Sequence, residues 1–151
     1  MTSAQVTGDQ LALVNLAYDY GELLDRSAVE EWLGLFGEEA TYRIIQRHNH
    51  DQRLPLYLVN DDRKRLMDRI VAYRGTQLPA TLHAISNVRI EQRDEVQAEI
   101  RAVVLVLRRG ELTFSGRYFM SAVKMSNRWI IHSCLVVLEG EIVPENLPLP
   151  I

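Results

Sequence analysis

The amino-acid sequence predicts an α+β fold: early helices lying over the concave side of a strongly curved, mixed or antiparallel sheet, so that together they form a cone. Two observations carry this. The N-terminal half carries apolar residues at helical spacing, whereas from Thr81 onward four extended runs alternate in hydropathy and are joined by tight turns. Helices followed by a series of hairpin-linked strands place the helices on one face of an antiparallel sheet. The stretch 79–90 (PATLHAISNVRI) divides the two halves and reads as the first strand of that sheet.

Each element follows in order. Residues 10–24 read as a helix, because Leu13, Ala17, Tyr20 and Leu24 recur on one stripe with Leu16 beside them. Asp25-Arg26 breaks it. Ser27-Ala28-Val29-Glu30 has the form of a capping box, so a second helix is expected from Ser27, with Trp32, Leu33, Leu35 and Phe36 apolar and Gly37 at its end. The short link implies that the two helices pack as a hairpin. Residues 40–46 read as a strand, 47–53 (RHNHDQR) as a polar loop and 54–59 as a second short strand. Asn60 or Asp61 is expected to cap a third helix, with Leu66, Met67, Ile70 and Val71 on its apolar side and Gly75 closing it.

The sheet runs over 81–92, 96–109, 112–125 and 128–138, with turns at Asp94-Glu95, Arg109-Gly110-Glu111 and Ser126-Asn127. In its second strand Val96, Ala98, Ile100, Ala102, Val104 and Val106 share one face. The other face starts polar with Gln97, Glu99 and Arg101, then turns apolar with Val103, Leu105 and Leu107. A strand dry on both sides over half its length needs cover on its outer face, from its own chain or from another subunit. Pro144, Pro148 and Pro150 keep the tail out of a helix or central strand, so it is expected to run along a surface.

Composition bounds the function. A chain of 151 residues, 47% hydrophobic and 25% charged, suits one globular domain over residues 1–151. A net charge of −3 argues against a nucleic-acid partner, and the one basic cluster, Arg63-Lys64-Arg65, reads as a solvated helix face. The single cysteine, Cys134, forms no internal disulfide and reads as a small buried hydrophobe. Neither a secretory signal nor a membrane-length apolar run is seen, so a cytoplasmic protein is expected.

No cofactor loop or nucleophile elbow is present. His48-Asn49-His50-Asp51 brings histidines close, but a polar loop gives them no shared direction, and no metal is expected. What remains is a loose set. Asp25 ends the first helix, Tyr42 lies on the first strand, and His83 and Asn87 stand four apart, hence on one side of a strand. With His132, which could equally face outward, these are the candidates for a pocket between helices and sheet. A carboxylate beside a histidine orients it for general acid–base work, and a tyrosine hydroxyl polarises a carbonyl. The same residues serve equally as a buried hydrogen-bonded brace, Asp25 and His83 simply satisfying each other.

Several stretches together resemble a known family: Leu23-Leu24-Asp25, Glu31 to Phe36, Tyr42, Asp62-Arg63 with Leu66 and Arg69, His83 to Val88, Gly116-Arg117-Tyr118, Trp129-Ile130-Ile131 and Asn146-Leu147. With these the chain resembles the small (β) subunits of aromatic-ring-hydroxylating dioxygenases, in the NTF2-like/SnoaL-like superfamily. The resemblance covers nearly the whole chain. Departures are Arg43, where an aromatic residue is usual, and the segment 47–53. The resemblance implies an NTF2-like cone acting as a non-catalytic structural subunit in the degradation of aromatic compounds. This chain would hold no cofactor. A Rieske 2Fe-2S cluster and a mononuclear iron would sit in a partner large (α) subunit, and a homotrimer of this chain would support three large subunits in a hexamer. The chain is also similar to scytalone dehydratase-like and SnoaL-like enzymes at Asp25, Tyr42 and His83. That similarity implies a stand-alone, cofactor-free dehydratase, isomerase or cyclase using Asp25 and His83 as acid and base. The further histidine of the dehydratases is missing from the apolar run 103–107.

Overall fold

The computed structural model describes residues 7–73, 80–140 and 150–151. The elements run α1 (Gly8–Asp25), α2 (Val29–Leu33), β1 (Phe36–Gln46), α3 (Arg47–Asp51), β2 (Tyr57–Asp62), α4 (Arg63–Tyr73), β3 (Thr81–Gln92), β4 (Gln97–Arg108), β5 (Glu111–Met125) and β6 (Arg128–Leu138). The strands form one open six-stranded sheet in the order β2-β1-β6-β5-β4-β3. Only β1 and β6 pair in parallel; every other pair is antiparallel. The predicted helices-then-meander order is thus the observed one, and the sheet is mixed.

The core lies between the inner face of the sheet and α1. From α1 come Leu13, Leu16, Ala17, Tyr20 and Leu24, the predicted stripe. From the sheet come Ala98, Ile100, Ala102, Val104 and Val106 of β4, with Phe114, Tyr118 and Met120 of β5. Val96, expected on that inner row, precedes β4 and is half exposed. The helix begins two residues before the predicted start. Thr7 accepts from the Gln10 backbone N–H, and the Gln10 side chain accepts from Thr7 in return, a reciprocal cap.

Several boundaries differ for identifiable reasons. Ser27 does not cap α2: its φ of 56° is left-handed, whereas a capping residue needs extended backbone, and Ala28 takes that position with no side-chain bond. The helix ends at Leu33 rather than running to Gly37, because the Leu35 carbonyl accepts from the Ile131 N–H and the chain is drawn into pairing with β6. The expected loop at 47–53 opens with a single helical turn. Arg47 and Asp51 face each other across that turn at 3.7 Å, and His50 stacks on Phe119. Strand β2 starts three residues later than predicted, since its register runs from Tyr57 opposite Ile45 to Asp62 opposite Thr41.

Neither Asn60 nor Asp61 caps α4. Asp62 does so, accepting from the Arg65 N–H at 2.8 Å, while the buried Asp61 carboxylate is gripped by the Arg69 guanidinium at 2.7 and 3.0 Å. Leu66 and Ile70 of α4 are buried, but Met67 and Val71 are exposed. Gly75, Pro144 and Pro148 lie outside the described residues. Of the tail, Ile151 is buried in the core rather than lying on a surface.

Candidate functional site inside the cone

The C-terminal end of α1 is bound to the edge strand β3 through one carboxylate. Asp25 accepts from the Thr81 hydroxyl at 3.2 Å and from the His83 backbone N–H at 2.9 and 3.0 Å. Its Oδ1 lies 2.5 Å from Nδ1 of the same histidine. Gly21, one turn back on α1, permits this approach. A Cβ there would stand 3.1 Å from His83 Cβ and 2.7 Å from the end of the Ile85 side chain. The His83 side chain is 2% exposed, and its other ring nitrogen, Nε2, is buried without a hydrogen-bond partner. Two predicted site residues therefore meet as a dyad. Asp25 fixes the ring, and Nε2 is the ring nitrogen it leaves unbonded.

Tyr42 is fully buried, but its hydroxyl is bonded to neither member of the dyad. It accepts from the Ile151 N–H at 2.9 Å and donates to the Ile151 carbonyl at 3.1 Å; the Tyr20 hydroxyl donates to that same carbonyl. Around them the aromatic rings interlock, with Tyr20 edge-on to Trp32 at 5.4 Å and 4.9 Å from Tyr118, and Trp32 edge-on to Tyr42 at 5.8 Å. Trp32 Nε1 and the Tyr118 hydroxyl are buried without a partner. Burial pushes the phenols of Tyr20, Tyr42 and Tyr118 well above their ordinary range, and it pushes the Cys134 thiol up to about 12. All four are neutral and unreactive as nucleophiles at neutral pH.

The other two candidates are not in this interior. In β3 the register shifts between Ser86 and Arg89, and Asn87 adopts a left-handed φ of 52°. This bulge places Ser86 and Asn87 both on the exposed side and returns Val88 and Ile90 to the core side. The strand period that put Asn87 beside His83 is broken by one extra residue. His132 likewise sits at a register shift in the pairing of β5 with β6, exposed on the outer face near Glu38 and Glu39. Among the described residues no group of three histidine, cysteine or acidic side chains is placed to hold a metal, and His48 and His50 lie on the one-turn helix α3. Sequence reading assigned Tyr20 and Trp32 to the core stripes only and gave Tyr118 no role. Alternation in β5 identifies Tyr118 as inward-facing, but not as unpartnered.

Helices covering the concave face of an open, curved mixed sheet, with a carboxylate–histidine pair and a tyrosine cluster inside, define a cone-shaped domain of the kind shared by enzymes and subunits. The chain belongs to the SnoaL-like domain family, whose model matches residues 5–134. Its relatives include the anthranilate 1,2-dioxygenase small subunit of Burkholderia cepacia, 32% identical over 67% of this chain and 68% of that one. Another is subunit beta 2 of the terephthalate 1,2-dioxygenase terminal oxygenase component from Comamonas sp., 25% identical over 94% of this chain and 97% of the relative. Among solved structures, a protein assigned as the beta subunit of an aromatic-ring-hydroxylating dioxygenase from Novosphingobium aromaticivorans is 25% identical. It superposes with a TM-score of 0.79 over 90% of this chain and 92% of its own. A protein from the same organism assigned as a scytalone dehydratase (24% identity, TM-score 0.65, 86% and 83% covered) shares the fold alone.

Proposed function

We propose that this chain is a structural small subunit of an aromatic-ring-hydroxylating dioxygenase and has no catalytic centre of its own. The observation that carries the reading is the match to such small subunits along almost the full length of both chains. In this reading the Rieske cluster and the mononuclear iron belong to a large-subunit partner. The chain works in the cytoplasm, as a trimer beneath three large subunits. The outer face of the sheet supports an assembly role. Leu82 pairs with Leu107 and Ala84 with Leu105 across β3 and β4, and Leu82 is 59% and Leu105 38% exposed. An apolar patch of this kind on a sheet face is characteristic of a surface that another subunit covers. The test is purification of the tagged chain from its native host, with iron analysis and sedimentation. A larger iron-containing protein in equal amount, and a trimer for the isolated chain, are the expected results. Recovery of an iron-free monomer alone would contradict the reading.

A second reading rests on the Asp25–His83 dyad, a cofactor-free enzyme acting inside the cone. Asp25 would hold the ring through Nδ1, and His83 Nε2 would exchange a proton with substrate. Its mark would be turnover by the isolated chain that disappears in Asp25→Asn.

A further inference from the structure

An open concavity lies on the outer side of the sheet, apart from the cone interior. It is a cleft of about 820 Å³ under α3, walled by Arg47 and His50 of α3, Arg89 of β3, Arg101 of β4, and Arg117 and Phe119 of β5. Four arginines from four different elements therefore line it, over an apolar floor of Val103 and Val137. The Phe119 ring closes one side and is stacked on His50, with centroids 5.7 Å apart and planes at 22°.

Two features mark this cleft as a place for an anion. First, Arg89 and Arg101 are direct cross-strand partners, and among the described residues neither makes an ion pair. Like charges opposite each other in a sheet are destabilising, and an anion between them relieves the repulsion. Second, the other two arginines already hold a carboxylate. Glu139 sits 2.7 Å from Arg47 Nε and 3.8 Å from Arg117 Nε, while Asp51 faces Arg47 at 3.7 Å from the rim. The bulge that turns Asn87 outward adds a neutral polar group to the same wall, in a left-handed conformation of the sort found where side chains are re-aimed at functional sites.

We propose that this cleft binds a small aromatic carboxylate. Arg89 and Arg101 take the carboxylate by charge-assisted hydrogen bonds, and the ring lies on the valine floor against Phe119. The volume falls within the range of small-molecule sites, about 300–1,000 Å³. The apolar aromatic wall explains why the anion should carry a flat apolar body. A bare anion would leave the valines and Phe119 unused, and an acidic protein segment would need less concavity.

The experiment uses the whole chain and benzoate as probe, followed by calorimetry and by backbone and arginine side-chain NMR shifts. Saturable binding is expected, with shifts confined to Asn87, Arg89, Arg101 and Phe119. Arg89→Ala and Arg101→Ala should each weaken binding by about tenfold, the loss of one charge-assisted partner. His83→Ala should leave it unchanged. The shift map in the unaltered protein decides the location even where a variant folds poorly. Acetate binding as tightly as benzoate would overturn the assignment to an aromatic ligand. So would shifts centred on His83 and Tyr118, tighter binding of a glutamate-rich peptide in the same cleft, or no saturation by about 10 mM. None of these results bears on whether the chain recruits a large iron-bearing subunit.

Discussion

Removing the Asp25 carboxylate tests whether the dyad is a brace, and its effect follows from the bonds it makes. In Asp25→Ala the His83 backbone N–H and ring Nδ1 lose their acceptor in a site where the His83 side chain is 2% and the Asp25 side chain 19% exposed. An abandoned polar group in such surroundings costs about 1–3 kcal/mol. The Thr81 hydroxyl can turn to solvent and adds little. Two such groups, partly rescued by water at the edge strand, amount to about 3 kcal/mol. In a domain of this size that lowers the melting temperature by roughly 6–12 °C, at about 2–4 °C per kcal/mol. Asp25→Asn keeps an acceptor for the backbone N–H and loses only the charge-assisted bond to the ring, so about 1–2 kcal/mol is expected. Urea denaturation followed by circular dichroism, with a double-mutant cycle through His83→Ala, measures both values and their coupling. An Asp25→Ala protein within about 1 kcal/mol of the parent would refute the bracing role. A folded Asp25→Asn protein that loses turnover by the chain alone would move the dyad from architecture to catalysis.

The tyrosine cluster predicts a sharp alkaline limit. Tyr20, Tyr42, Tyr118 and Cys134 have folded-state pKa values raised by burial, so the stability they contribute is intact below their unfolded values, near 9 for the thiol and 10 for the phenols, and is lost as pH rises beyond them. Ultraviolet titration should show these three of the six tyrosines ionising only as the protein unfolds, with Cys134 silent to thiol reagents until the same point. Phenolate formation at all positions before any change in circular dichroism would contradict this. Two glycines should respond to different degrees on substitution by alanine. A Cβ at Gly116 would lie 2.4 Å from the Val137 carbonyl oxygen of the neighbouring strand, where backbone must move, and about 3 kcal/mol or more should be lost. At Gly21 a Cβ would meet the flexible end of Ile85 at 2.7 Å but also His83 Cβ at 3.1 Å, so β3 must give slightly; a helix-propensity gain of about 1 kcal/mol offsets part of that strain, and the urea midpoint should fall less than for Gly116→Ala.

Periodicity made most of the fold legible. The α1 stripe, the alternation of β4 and the turns before β5 and β6 are local patterns that the tertiary structure reinforces. The turns at Arg109-Gly110 and Ser126-Asn127 carry the positive φ values that tight hairpins need. What local patterns could not show was where long-range contacts take over. Strand β1 begins at Phe36 because β6, almost a hundred residues later in the chain, pairs with it; residues 47–51 coil because Phe119 lies beneath His50. The dyad was legible because Asp25 and His83 each fall at a predictable end or face of an element. Asn87 was misplaced, and the side taken by His132 could not be read, because one extra residue in a strand reverses every side chain beyond it. The arginine cleft escaped notice because its members are scattered over 70 positions and only the register of β3, β4 and β5, with α3 laid against them, brings them together.

The two faces of the sheet are unequal in what they leave free. On the inner face the largest side chains are fully buried, and two tyrosine hydroxyls are bonded to the Ile151 backbone. Among the described residues, the polar atoms left over there are Trp32 Nε1, the Tyr118 hydroxyl and His83 Nε2. A substrate in that interior would have to compete with contacts the chain makes with itself. On the outer face α3, the His50–Phe119 stack and the Glu139 ion pairs cover only part of the sheet. Leu82 and Leu105 stay in water, and Arg89 and Arg101 repel each other across a strand pair. Leu82 is 59% and Leu105 38% exposed, so each still forgoes part of the ~1.5–3 kcal/mol that full burial is worth, which a partner surface would restore. The free energy still available to this domain therefore lies mainly outside the cone, where a neighbouring subunit or ligand meets it, and this asymmetry favours a supporting subunit over a self-contained enzyme.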